Sequence, residues 1–251
     1  MASSASETPD SRVVLLSAEW RHVAMLNYEV DPSILAALVP AGTSLDSHEG
    51  KTFVSIVGFL FLHTRVFGVP IPFHRHFEEV NLRFYVRRRS HEGWRRGVVF
   101  IKEIVPKAAI ALAARFLYNE RYVSLPMSHR LDRDSTGRGS SIQYSWRHDG
   151  FENQLKLKAA GISQPPRLNS VQEFISEHYW GYSCLRDGST LEYRVDHPRW
   201  EIQEATQTSL DCNVAGLYGD RFAEVLGPPP SSAFLAEGSH VRVFMGRRLI
   251  A

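Results

Sequence analysis

Apolar and polar positions alternate most clearly between residues 77 and 86. Phe77, Glu79, Asn81, Arg83 and Tyr85 fall on one side of a period of two, and Val80, Leu82, Phe84 and Val86 fall on the other. Successive strand side chains point to opposite faces, so this stretch predicts a strand over about 78–87 with one apolar and one polar face. A β-branched and aromatic run at 52–62, bounded by Glu49-Gly50 and a later Gly-Val-Pro, predicts another. Similar runs lie near 97–105, 140–147, 153–159, 191–195, 200–208 and 240–245. The turns Ser90-His91-Glu92-Gly93, Asp149-Gly150 and Asp187-Gly188 join strand-like runs and predict antiparallel hairpins.

Helical signals are fewer. Asp31-Pro32 supplies an N-cap and a proline at the first helical position, and Pro40 ends the segment. A second helix is predicted over 107–117, and a third over 170–178 carries the capping pair Ser170 and Glu173. Strands outnumber helices without regular βαβ alternation, which predicts an α+β, mainly β fold: an antiparallel sheet with a few packed helices. No repeat or long linker divides the chain. The expectation is one domain over 12–251 behind a disordered tail at 1–11.

Composition narrows the function classes. With 43% hydrophobic and 22% charged residues in 251, the chain has globular composition, and its net charge of +2 implies no strong overall field. Cys184 and Cys212 are too few for a zinc knuckle or a CxxC pair. No basic and apolar leader opens the sequence, and no apolar run reaches the roughly 20 residues of a membrane helix, so a cytoplasmic protein without membrane contact is expected. Five lysines stand against twenty-four arginines, so any lysine chemistry has few candidates.

The polar row Glu79, Asn81, Arg83 reads in two ways: the wet face of a half-buried strand, or a hydrogen-bonding row inside a barrel. The 107–117 segment is apolar on nearly every side before Arg115, which predicts a buried helix. Arg115 then either reaches water from the helix end or needs an anion, for which Glu79, Glu103 and a bound carboxylate qualify. Lys102 alternates in phase with Val98, Phe100 and Ile104, so it is either a desolvated amine of lowered pKa or a lysine reaching solvent. His74 and His76 lack a third ligand at a typical spacing, so no metal is expected. Arg87, Arg88, Arg89, Arg95 and Arg96 bracket one hairpin, which suits a solvated tip or nucleic-acid contact. No GxGxxG, P-loop, GxSxG or HExxH motif occurs.

A set of short motifs in fixed order adds to this reading. Trp20 is followed by Asp31-Pro32 with Leu35 and Val39-Pro40, then Leu45-Asp46 with Gly50. Next come Phe77-x-Glu79-x-Asn81-x-Arg83-x-Tyr85-Val86, Gly97-Val98 with Phe100, Ala114-Arg115, Phe174 with Tyr179, and His197-Pro198 with Trp200. Together, over about residues 20–245, they resemble the YqjF-type family, which is similar to the acetoacetate decarboxylase superfamily. The resemblance implies a β-barrel or cone with an internal cavity and helices against it. In the decarboxylases one lysine, its pKa lowered by a neighbouring lysine, forms a Schiff base with a β-keto acid. Here Ala114-Arg115 is followed by Phe-Leu-Tyr-Asn-Glu-Arg-Tyr-Val-Ser, with no Lys-Lys pair, so that activity does not carry over.

The expected function is binding of, and action on, a small organic acid or carbonyl compound in the cavity, without a cofactor. Glu79 and Arg115 are the catalytic candidates; Asn81, Arg83, Tyr85 and Lys102 are the ligand-binding candidates. Lys102 is where a Schiff base would have to form, and none is expected, because no second lysine stands near it. A non-catalytic ligand-binding or sensor protein is the alternative, and nucleic-acid binding through the arginine hairpin is the weaker one. Self-association is left open.

Overall fold

Long β-branched and aromatic runs, each with a hydrophobic face to bury, assemble into one highly connected sheet. The computed structural model describes residues 12–112, 119–133 and 139–249. Seven strands close into a ring. In chain order these are β1 (Val14–Val30), β3 (Thr52–Val66), β5 (Phe77–Ser90), β6 (Gly93–Val105), β11 (Trp180–Cys184), β12 (Thr190–Asp196) and β14 (Ser232–Phe244). Around the ring they run β12–β11–β6–β5–β3–β1–β14, and β14 pairs back onto β12. Every pair is antiparallel except β6 with β11. The β11–β12 hairpin joins the ring by short pairings: Trp180 and Gly181 pair Gly97 and Val98 on one side, and Val195 and Asp196 pair Val243 and Arg242 on the other, where Thr190, Leu191 and Glu192 also pair Leu249, Arg248 and Arg247.

A second layer covers part of the ring's outside. It is built from β8 (Met127–Arg133), β9 (Gly139–His148), β10 (Phe151–Ala160) and β13 (Ile202–Asp211), and β13 also pairs β14. Tyr144, Trp146, Leu155 and Leu157 of this layer pack against Leu26, Ile56, Val80, Leu82 and Phe84 of the ring. Two short helices, α4 (Val214–Tyr218) and α5 (Asp220–Leu226), add Leu217, Phe222 and Leu226 to the same core. A separate cluster, including Met25, Val57, Phe59, Phe61, Phe77 and Trp200, fills part of the ring's interior. The middle strands are therefore buried on both faces, which explains the unbroken apolar run at 52–62. Short strands β2 (Ser44–Leu45), β4 (Val69–Pro70), β7 (Tyr122–Ser124) and β15 (Arg247–Leu249) extend the edges.

The capping signals sit where the residues place them. Asp31 accepts from the Ser33 amide at the start of α1 (Pro32–Leu35), and Ser170 accepts from the Glu173 amide at the start of α3 (Val171–Ser176). A helical turn, α2, occupies residues 108–112. It is not buried on every side as its composition predicts: Ala111 is 4% exposed but Leu112 is 69% exposed, so only one face is covered. Arg115 lies outside the described residues. Cys184 and Cys212 are both free thiols. Among the described residues no helix is long and apolar enough to cross a membrane.

Candidate ligand-binding cavity

The ring encloses a cavity of about 260 Å³. Cross-strand register maps its inner surface. On β5 the inward row reads Phe77, Glu79, Asn81, Arg83; on β3 the residues opposite are Phe61, Phe59, Val57 and Ser55. Trp20 of β1 stands beside Phe61, and Met25 beside Val57. One end is thus aromatic and the other polar. Glu79 and Asn81 are buried at 2% and 1% exposure, so the polar row of β5 is not a wet face.

Glu79 accepts from Asn81 Nδ2 (2.9 Å) and from the Tyr122 hydroxyl (3.1 Å). Burial pushes its carboxyl up to about 7, against these hydrogen bonds and the nearby Arg83 charge, which pull it down. Two more buried carboxyls stand close by. Burial, then the charges of Glu120 and Glu79, raises Glu103 well above the carboxylate range, although Tyr122 also bonds to it. Burial raises Glu120 to about 8, with the Tyr193 hydroxyl donating to it over 3.0 Å. Three carboxyls in one dry site cannot all ionise, so the group holds protons at neutral pH. Among the described residues no group of three His, Cys, Asp or Glu side chains is arranged to hold a metal ion.

Arg83 faces this group from the same strand. Its Nη2 reaches only the Met25 sulfur (3.7 Å), its Nε is buried without a hydrogen-bond partner, and its guanidinium carbon lies 5.8 Å from the Tyr85 ring centre. Among the described residues no carboxylate lies within ion-pair distance of it. Tyr85 itself stands behind the cavity. Its hydroxyl shares a hydrogen bond with Ser55 (2.6 Å), and its ring packs on Phe174 and His178.

His178, which composition and spacing did not single out, also lines the cavity. It follows α3, and its Nε2 lies 3.4 Å from Asp46 Oδ2. Burial pushes this imidazole down to about 4, so it is neutral at pH 7. Asp46 also accepts from Arg96 Nε (2.7 Å); burial raises its carboxyl, but the His178 and Arg96 bonds outweigh that and hold it near 2. His197 stacks on Trp200 at 4.3 Å in the same wall, and burial lowers its pKa.

The structure separates Lys102 from the other candidates. The β5–β6 register shifts between Leu82 opposite Lys102 and Arg83 opposite Phe100, leaving Ile101 as an extra residue. Such a bulge reverses the alternation beyond it. Val98 and Phe100 therefore face the cavity, while Lys102 points outward and donates to the Leu217 carbonyl; Glu103 takes the inward place. Burial and the Arg121 charge lower the Lys102 pKa, but the amine belongs to an outer groove with Arg121 and Arg186. All five lysines of the sequence are among the described residues, and none lines the cavity.

Most of the arginine hairpin turns inward. Arg88 and Arg95 meet the buried Glu192 at 3.2 and 2.6 Å, Arg247 joins them at 2.9 Å, and Arg96 holds Asp46. Arg87 and Arg89 lie over the exposed Trp94 ring. His74 and His76 diverge: His74 lies at the cavity rim with its Nδ1 on the Pro72 carbonyl, and His76 packs edge-on against His63.

The mainly-β ring with a few packed helices is an acetoacetate decarboxylase-like fold. The enduracididine biosynthesis enzyme MppR, solved in complex with pyruvate, superposes with a TM-score of 0.66 at 14% identity, over 98% of this chain and 93% of that one. An acetoacetate decarboxylase-like enzyme from Sphingomonas wittichii RW1 gives 0.65 at 15% identity over the whole of both chains. The acetoacetate decarboxylase of Legionella pneumophila gives 0.61 at 12% identity, over 100% and 98%. At these identities the likeness is one of fold. The chain belongs to the DUF2071 family of uncharacterized conserved proteins, whose model matches residues 17–240. The uncharacterized protein YqjF of Bacillus subtilis is 29% identical over 201 residues, 78% of each chain.

Proposed function

We propose that the cavity binds a small organic acid bearing a carbonyl group, with Arg83 taking its carboxylate and Glu79 serving as proton donor and acceptor. The observation that carries this reading is Arg83, a guanidinium inside the ring with no carboxylate of the described chain to neutralise it. A planar fork of donors matches a carboxylate in bidentate fashion. Glu79, raised to about 7, is poised to exchange a proton with a carbonyl oxygen or its α-carbon near neutral pH. Asn81 fixes the Glu79 carboxyl, and Tyr85 backs Arg83. Arg115 lies outside the described residues, and a part for it in holding the anion is proposed from the sequence alone. The pyruvate held by MppR, a neighbour in fold, supports the ligand class.

The proposed chemistry calls on no Schiff base, in keeping with a cavity that no lysine of the chain lines. The same absence favours a second reading, a ligand-binding or sensor protein that holds the acid without transforming it.

The test is calorimetric titration with pyruvate and acetoacetate. Wild type binds, Arg83→Lys binds about tenfold more weakly because it keeps the charge and loses the fork, and Arg83→Gln loses more. Equal binding by all three, or none by wild type, overturns the proposal. Proton exchange at the ligand's α-carbon, followed by NMR in heavy water and abolished by Glu79→Gln, separates enzyme from sensor.

A further inference from the structure

We propose that the natural ligand is an aryl-substituted oxo acid, with its carboxylate on Arg83 and its ring against Phe59, Phe61, Phe77 and Trp20. This deepens the organic-acid reading of the cavity and rests on it.

Register gives the ligand a direction. Inward-facing residues of one strand are spaced by about 6.6 Å, so the Glu79 level lies roughly 13 Å from the Arg83 level. Arg83 leans back along this axis, since its Nη2 reaches Met25, which stands beside Val57 and hence level with Asn81. A carboxylate on the guanidinium therefore places its α-carbonyl near Asn81 and Glu79. Whatever follows the carbonyl enters the level of Phe59 and then of Phe61 and Phe77.

That level is built of rings. Phe61 and Phe77 stack at 4.6 Å with planes 14° apart, Trp20 meets Phe61 edge-on at 5.9 Å, and Phe59 lies 5.2 Å from both Trp20 and Phe61. Such a cluster offers both faces and edges, the arrangements in which aromatic groups attract one another beyond simple burial. A short acid such as pyruvate leaves this end wet and apolar, which is unfavourable. Space agrees with the assignment. A cavity of about 150 Å³ holds a benzene ring, so 260 Å³ has room for a ring and a three-carbon oxo acid.

The experiment compares pyruvate, 4-methyl-2-oxopentanoate and phenylpyruvate by calorimetry, with tryptophan fluorescence as a second readout, since Trp20, Trp180 and Trp200 line the cavity. Phenylpyruvate is expected to bind at least a hundredfold tighter than pyruvate and several-fold tighter than the branched alkyl acid, and to quench the fluorescence. Phe77→Leu, which keeps an apolar side chain, should narrow the phenylpyruvate advantage over both other acids. If pyruvate binds as tightly as phenylpyruvate, or the branched acid does, the aryl assignment fails while the organic-acid reading stands. Phenylpyruvate preference that persists undiminished in Phe77→Leu overturns the placement of the ring. If none of the three binds, both proposals fail.

Discussion

Asp46 is one carboxylate that holds two unlike neighbours, the charged Arg96 and the neutral His178. Removing it takes the ion pair from Arg96, which keeps the Phe174 carbonyl and ring, and removes the carboxylate that stands 3.4 Å from the buried His178. Asp46→Ala is expected to destabilise the protein by about 3 kcal/mol, the usual cost of breaking a buried charged pair, and to lower the melting temperature by roughly 6–12 °C. Thermal unfolding at pH 7 checks this. The sign of its pH dependence is fixed by the lowered carboxyl: the contribution is present above the ordinary carboxylate range and is lost as pH falls through about 2. The three cavity carboxyls act the other way. Unfolded, they release protons near 4.5; folded, Glu79 holds its proton to about 7 and Glu120 to about 8. Their stability is full below 4.5 and declines as pH rises through 7 and 8. His178 opposes this only between about 4 and 6.5, so the span from 6.5 to 8 isolates the carboxyls. Denaturant unfolding should show stability falling with pH there, and Glu103→Gln should flatten the slope. An unchanged slope counts against the shared-proton cluster.

At the scale of elements, strand existence is legible and strand parity is not. The runs near 78–87, 97–105, 140–147 and 153–159 remain strands, lengthened by up to four residues at an end. β1 is missed because its alternation breaks: His22 takes a positive φ of 53°, and the register shifts between Arg21 and Ala24. The same kind of irregularity at Ile101 carries Lys102 outward and Glu103 inward, against simple alternation. Glu79, Asn81 and Arg83 are legible because β5 keeps its period along the whole inward row. Glu120 and His178 lie in connections, where no period exists to read. Gly58 marks how closely the two layers meet, since a Cβ there would lie 2.4 Å from a Tyr144 ring carbon. Gly58→Ala is expected to cost about 1–3 kcal/mol through overpacking. Pairing it with Tyr144→Leu should recover part of that loss, although it forfeits the Tyr144 bond to the His22 carbonyl. A double-mutant cycle by denaturant unfolding measures the coupling; strictly additive losses refute the contact.

At the scale of the whole molecule, the ring is held unevenly. β1 and β3 share rungs along most of their length, whereas the β11–β12 hairpin meets β6 by two rungs and β14 by two, with three more from β12 to β15. The hairpin is not loose, because Glu192 ties it to Arg88, Arg95 and Arg247, and Asp196 ties it to Arg242. Yet Val195 and Tyr193 of this hairpin line the cavity, and Val243 lines it across the seam. The panel is therefore one wall of the cavity, joined across a short seam to the wall that carries Val243. Hydrogen exchange should find the amides of Asp196 and Arg242 opening well before those of β3 and β5. Asp196→Asn should speed that opening without changing the exchange of the far wall. An acid bound as proposed would lie against this panel along one wall while the cavity opens past Ile71 and His74, so loosening the seam would widen a second way out rather than unlock the only one among the described residues.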